Sequence, residues 1–196
     1  MIQRAALVPG RLFLFAAIAL GGLSFDLTTK SSVFARIGPP EEGHIVPVIP
    51  SVLEIQTSQN TGALWGLGAR LPFSSLIFAA LSVVAALIIC YWLFFLGAAA
   101  SRTLTIALGL IMAGALGNCY DRLVFGHVRD FVHFHIDPIG FDCAIFNFAD
   151  NMLVAGALTL VFFAMRPEDA VPSPVAETTP PAKVDSVLET TGTPTS

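Results

Sequence analysis

Residues 114–151 gather Asn118, Asp121, Arg122, Asp130, Asn147 and Asp150 between two apolar segments. Placing a charge at a bilayer centre costs about 2.5–3.5 kcal/mol on insertion scales, and less near the surface. A chain that keeps several such groups close together uses them. Two carboxylates at a partly dry site do not both ionise easily, so one keeps a proton while the other acts as base. Such a pair can activate water and protonate a leaving amine without a metal or a covalent intermediate. Asp150 sits in the first turns of an apolar helix, where the N-terminal dipole favours its charge and burial opposes it. An N-terminal cap is the plainer role for it, although Asn147 or Phe146 already occupies that region. Asp130 precedes Phe131 in VRDFVHF, a short apolar segment expected to return to the membrane surface. Spacing alone does not select the pair, because Asp121, Asp137 and Asp142 compete with Asp130 and Asp150.

Neighbouring groups have plainer readings too. Asp26 and Lys30 share a helix face and are expected to form an ion pair that anchors the helix end at the headgroups. Asn118 and Arg122 share a face with Gly114, as a substrate-facing pair or with the Arg reaching lipid phosphate. Asp121 either neutralises Arg122 or caps the helix. His133, His135 and Asp137 alternate, so a strand would put them on one face where a metal could bind. The chain has no HExxH spacing, and headgroup-level histidines are the preferred reading. No Ser or Cys stands in a nucleophile setting, and no Gly-rich phosphate loop follows a strand.

The elements that position these groups follow from composition. The 196 residues are 55% hydrophobic and 12% charged, with a mean hydropathy of +0.75. That is a membrane protein rather than an ordinary soluble domain. A net charge of −4 offers no basic surface for nucleic acid. Apolar runs predict four spans at about 12–29, 73–96, 104–121 and 145–165, each near the roughly 20 residues that cross a bilayer. The first is read as a retained helix and not a signal peptide, despite a loose cleavage-like Val33-Phe34-Ala35. Loops 31–70 and 124–144 emerge on one side. Val52–Thr57 alternates as a strand does, and the Pro and Gly of 31–70 exclude a helix of useful length there. Residues 167–196, rich in Pro and Thr, read as a disordered tail. Basic residues divide evenly between the two sides, but Arg4, Arg11 and Arg102 favour cytoplasmic termini. Four spans bring the end of the first, the end of the third and the start of the fourth to one membrane face. Cys119 and Cys143 are read as unrelated thiols.

The motifs, in order, resemble the bacterial lipoprotein signal peptidases, or signal peptidase II. Asp26 and Lys30 fit DxxxK; Asn60, Gly62 and Ala63 fit NxGA; Asn118, Asp121 and Arg122 fit GNxxDR. Val128, Asp130 and Phe131 fit VxDF, and Phe146, Asn147, Ala149 and Asp150 fit FNxAD. The resemblance covers roughly residues 8–166. It implies a four-span, all-α membrane aspartic protease with a small extracytoplasmic β-cradle from 44–70, residues 1–166 forming the peptidase domain. It implies Asp130 and Asp150 as catalytic dyad, and Asn60, Gly62, Asn118, Arg122 and Asn147 as substrate-binding or site-supporting residues. Asp26, Lys30 and Asp121 become structural, with no metal or cofactor. The implied substrate is a diacylglyceryl-modified prolipoprotein cut before the lipidated Cys, and globomycin-like peptides are the implied inhibitors. The implied setting is the inner membrane, with both termini cytoplasmic, the site facing outward, lipid as a partner and the chain a monomer. Departures are extra length at 34–44, Leu64-Trp65 after NxGA, and a long spacing from VxDF to FNxAD. The competing reading is a transport or proton-relay protein using the same acids without proteolysis.

Overall fold

The computed structural model describes residues 9–62, 67–97, 99 and 101–165. Ala63, Leu64, Trp65 and the tail therefore lie outside the described residues. The first helix, α1, runs from Pro9 to Ile37. It continues about two turns beyond the expected end at Thr29 because Ser31–Ile37 contains no breaker. Gly38, in the left-handed region at φ +90°, and Pro39-Pro40 then stop it.

Helices α2 (Ser74–Phe95), α3 (Arg102–Phe125) and α4 (Phe148–Ala164) follow. Ser101 caps α3 by accepting from the Leu104 amide at 3.3 Å, and Gly126 closes it at φ +78°. The chain alternates direction through the four helices. At one end, the Arg11 side chain of α1 donates to the Ala99 carbonyl between α2 and α3 at 3.1 Å. At the other end, the Ser75 hydroxyl of α2 donates to the Gly126 carbonyl beyond α3. Among the described residues three helices, α1 to α3, are long and apolar enough to cross a membrane. The fourth, of 17 residues, is a shorter apolar helix.

The central helix is α3, which packs against the other three. Its Ala107, Leu108, Ala113 and Ala115 are buried, whereas α2 presents Leu81, Val84, Leu87, Ile88 and Phe95 outward, as a lipid-facing helix does. Small residues set the α3–α4 spacing. A Cβ on Gly156 would stand 2.6 Å from Ile111 Cγ1 and 2.8 Å from the Ala107 carbonyl. Gly156→Ala is therefore expected to destabilise the bundle by about 1–3 kcal/mol. Gly21→Ala, where nothing lies within 4 Å, is expected to be neutral or stabilising. Thermal midpoints in detergent compare the two.

A four-stranded antiparallel sheet caps the bundle, in the order β1-β2-β3-β4. Its strands are Ile45–Ile49, Leu53–Asn60, Val128–Ile136 and Phe141–Asp142. The sheet thus takes half its strands from the second loop, where 44–70 alone was the expected source. In VRDFVHFHI the alternation is broken by Asp130, so the segment reads as apolar loop until β2 is available to pair with it. The register sets Ser58 opposite Asp130 and Asn60 opposite Val128.

Candidate active site

Two strands of the sheet and two helices meet at one place. Strands β2 and β3 bring Asn60 and Asp130, α3 brings Asn118 and Arg122, and the start of α4 brings Asn147 and Asp150. Asn147 is the N-cap of α4. Its side-chain oxygen accepts from the Asp150 amide at 3.1 Å, and Asp150 Oδ2 accepts from the Asn147 amide at 3.1 Å. This is a capping box. The plainer reading of Asp150 as a helix-terminal group is thus fulfilled through one oxygen only. The box holds Asn147 and leaves its Nδ2 to donate to Asp130 Oδ1 at 2.6 Å and to Asn118 Oδ1 at 3.3 Å.

The other asparagines complete the frame. Asn118 Nδ2 donates to Asp150 Oδ1 at 2.8 Å, and its Oδ1 accepts from Lys30 at 3.0 Å. Asn60 Nδ2 donates to Asp130 Oδ2 at 3.2 Å, and its Oδ1 accepts from the Gly62 amide at 2.9 Å. Arg122 Nη2 donates to the Gly62 carbonyl at 2.9 Å. Each carboxylate therefore has an amide donor fixed in turn by another group, which orients both acids before any ligand arrives.

Beneath this frame lies a buried charge cluster. Lys30 stands 2.7 Å from Asp26 and 3.4 Å from Asp121, all three side chains being fully buried. Asp26 also accepts from the Ala149 amide at 2.8 Å, which ties α1 to the first turn of α4. The Asp26–Lys30 pair forms, with both side chains fully buried among the helices. Asp121 is a correction. It pairs with Arg129, whose Nη2 and Nε donate at 2.8 and 3.2 Å and whose backbone amide donates at 3.0 Å. Consecutive helix residues point about 100° apart, and the ion pairs of Asp121 are with Lys30 and Arg129 instead of Arg122. Arg129 was missed in the sequence. Its only signal is its place next to Asp130 on a strand, which sends the two side chains to opposite faces.

Of the five competing aspartates, Asp130 and Asp150 line one cavity of about 400 Å³. Its walls are apolar at Phe78, Leu81, Ile111 and Val154, and polar at Asn118 and Arg122. A smaller cavity of about 250 Å³, edged by Ser58, Gln59 and Thr61, reaches Asp130 from the sheet side. Burial, with repulsion from the Asp150 charge, pushes the Asp130 carboxyl up to about 7, against the bonds from Asn147 and Asn60. Asp121 is committed to its cations. Asp142 stands with His133, and Asp137 lies 3.5 Å from His135. Cys90, Cys119 and Cys143 are free thiols.

Residues 18–166 match the family model described as "Signal peptidase (SPase) II". The chain is 39% identical over 170 residues to the lipoprotein signal peptidase of Rhodopirellula baltica, covering 81% of this chain and 74% of that one. It is 41% identical over 158 residues to the lipoprotein signal peptidase of Burkholderia ambifaria, covering 80% and 90%. A bacterial membrane enzyme solved by the in meso method superposes with a TM-score of 0.67 at 27% identity, covering 85% of this chain and 98% of that one. With the motifs in order, the family match over residues 18–166 and the shared fold, the chain belongs to the signal peptidase II family.

Proposed function

We propose that this membrane peptidase is an aspartic endopeptidase that removes the signal peptide from diacylglyceryl-modified prolipoproteins, cutting just before the lipidated Cys. The observation that carries the reading is the convergence of Asp130 and Asp150 on one largely apolar cavity, each carboxylate held by an asparagine amide. In the proposed reaction Asp130 holds the shared proton and donates it toward the scissile carbonyl oxygen. Asp150 takes a proton from water, whose oxygen bonds to the carbonyl carbon. The tetrahedral adduct then collapses: the C–N bond breaks, the Asp150 proton passes to the leaving amine, and Asp130 recovers its own. Asn60, Gly62, Asn118, Arg122 and Asn147 orient the dyad and the substrate backbone, while Asp26, Lys30 and Asp121 hold the helices around it.

The apolar walls suit a signal peptide delivered sideways from the bilayer, and globomycin-like peptides would occupy the same cavity. All four helices cross the membrane on this reading. A helix of 17 residues spans about 25 Å, which suffices with a locally thinned bilayer or flanking residues at the interface. The termini are cytoplasmic, and the sheet and dyad face outward from the inner membrane. Residues 1–166 act as one monomeric peptidase domain.

Purified full-length protein incubated with a diacylglyceryl-modified precursor is expected to yield the lipidated Cys at a new N-terminus. Equal cleavage of the unmodified precursor would remove the lipid requirement from the proposal. The pH profile is a second check. Because Asp130 is displaced to about 7, its proton is lost as pH rises through that value. The cleavage rate is expected to fall there, approaching tenfold per pH unit at higher pH. A rate that stays flat from pH 6 to 9 contradicts Asp130 as the proton holder.

A further inference from the structure

A second cluster of ionisable side chains sits on the sheet, away from the dyad. Arg129, Phe131, His133 and His135 share one face of β3 by strand alternation, and Asp130 lies on the other. Glu54 of β2 pairs in register with His133, and Asp142 of β4 reaches the same ring. His133 Nδ1 is 2.8 Å from Glu54 Oε1, and its Nε2 is 2.7 Å from Asp142 Oδ1. The His133 and His135 rings lie 4.9 Å apart between centroids. One ligand atom each from Glu54, His133 and His135 falls within 4.8 Å of the others. These groups surround a cavity of about 350 Å³ that Asp137 also lines.

Protons alone satisfy this cluster poorly. His133 Nδ1 has the Glu54 carboxylate at 2.8 Å, which needs a proton there, and the Gln56 amide nitrogen also at 2.8 Å, which needs a lone pair. One ring nitrogen cannot donate to the carboxylate and accept from the amide nitrogen at once, so the cluster needs either the Gln56 amide turned over or the proton replaced. Among the described residues, His135 Nδ1 is buried without a hydrogen-bond partner. A cation that accepts lone pairs from both rings and from Glu54 removes the need for the proton. It also leaves the Gln56 amide to Glu54 Oε1, which it already approaches at 3.5 Å. A tetrahedral site with bonds of about 2.0–2.1 Å places its donors roughly 3.3 Å apart. The three donor atoms lie within 4.8 Å of one another, so binding draws the side chains closer to reach that spacing.

We propose that Glu54, His133 and His135, with water as fourth ligand, form a divalent transition-metal site suited to Zn²⁺. Two imidazoles with a carboxylate match that ion, whereas Mg²⁺ and Ca²⁺ take all-oxygen sets. The donors come from β2 and β3, so the ion ties these two strands together. The site faces away from Asp130, and no step of hydrolysis passes through it.

The test uses full-length protein in detergent, purified with a tag free of histidine and stripped with a chelator. Titration with ZnCl₂, followed by calorimetry and elemental analysis, is expected to show one bound ion per chain at micromolar affinity or tighter. His133→Ala/His135→Ala is expected to lose at least about 100-fold in affinity, and Glu54→Gln at least about tenfold. His44→Ala/His127→Ala, which removes the other two histidines of the chain, is expected to keep it. Zinc should raise the thermal midpoint of the native chain and leave that of the His133/His135 variant unchanged. The milder Glu54→Gln protein keeps the result readable if the double variant does not fold. Absence of saturable binding to the native chain, or undiminished binding to Glu54→Gln or to the His133/His135 variant, overturns the site.

Discussion

Asp130→Asn is expected to lower the rate of prolipoprotein cleavage by about 10²–10⁴-fold, the usual contribution of a positioned acid or base. Asp150→Asn is expected to do the same, and the double variant little worse, because two groups that act as a unit are not additive. Both variants are expected to stay folded in the membrane. At Asp150 an Asn side chain still offers an oxygen to the Asn147 amide, so the α4 capping box keeps part of its bonding. At Asp130 the effect on stability is expected to run opposite to that on activity. Burial raises the folded-state value from 3.8 to about 7. Between those two values the folded chain retains a proton that the unfolded chain has released. The native protein therefore loses stability as pH rises from about 4 to about 7, and stays lowered above that. Asp130→Asn has no such group. Its melting temperature should equal or exceed the native one at pH 8, with a flatter pH dependence. Full cleavage activity in Asp130→Asn ends its assignment to the dyad.

Lys30→Met is expected to be the most destabilising single change in the bundle, at about 3–5 kcal/mol. Its ammonium stands between two carboxylates, Asp26 at 2.7 Å and Asp121 at 3.4 Å, and donates to Asn118 at 3.0 Å. All of these groups are buried. Removing the cation leaves Asp26 with the Ala149 amide and no charge partner, and deprives Asn118 of a donor. The loss should also reach cleavage, since Asn118 holds Asp150. Coupling to Asp26 can be measured directly. Asp26→Leu/Lys30→Met should recover much of the stability lost in Lys30→Met, because an apolar pair replaces an unpaired charge. If Lys30→Met melts within a degree of the native chain, the cluster does not hold the helices together.

Much of the site was legible before any coordinates, for a physical reason. Charges and amides inside apolar segments are costly, so Asp26, Lys30, Asn118, Asp121, Arg122, Asn147 and Asp150 stand out wherever they fall. Helical spacing of four then pairs Asp26 with Lys30 without further information. The β2 alternation was readable too. The helix ends were less so: α1 runs past its expected limit because Ser31–Ile37 holds no breaker, and α3 because Asp121 and Arg122 look like a boundary yet are buried against neighbours. The β3 strand was hidden because its partner lies about seventy residues earlier and its alternation is broken at Asp130.

The sequence by itself determined the class of protein, the approximate helices and the set of costly residues. Those depend on composition and on short-range periodicity, which a chain carries in one dimension. Tertiary structure alone decided which partner each costly residue takes. It gave Asp121 to Arg129 and Lys30, reserved Asn147 and Asn118 for Asp130 and Asp150, and assembled Glu54, His133, His135 and Asp142 from three strands. These pairings join residues from separate elements, and only the packing of α1, α3, α4 and the sheet sets the distances that choose among several chemically equal candidates.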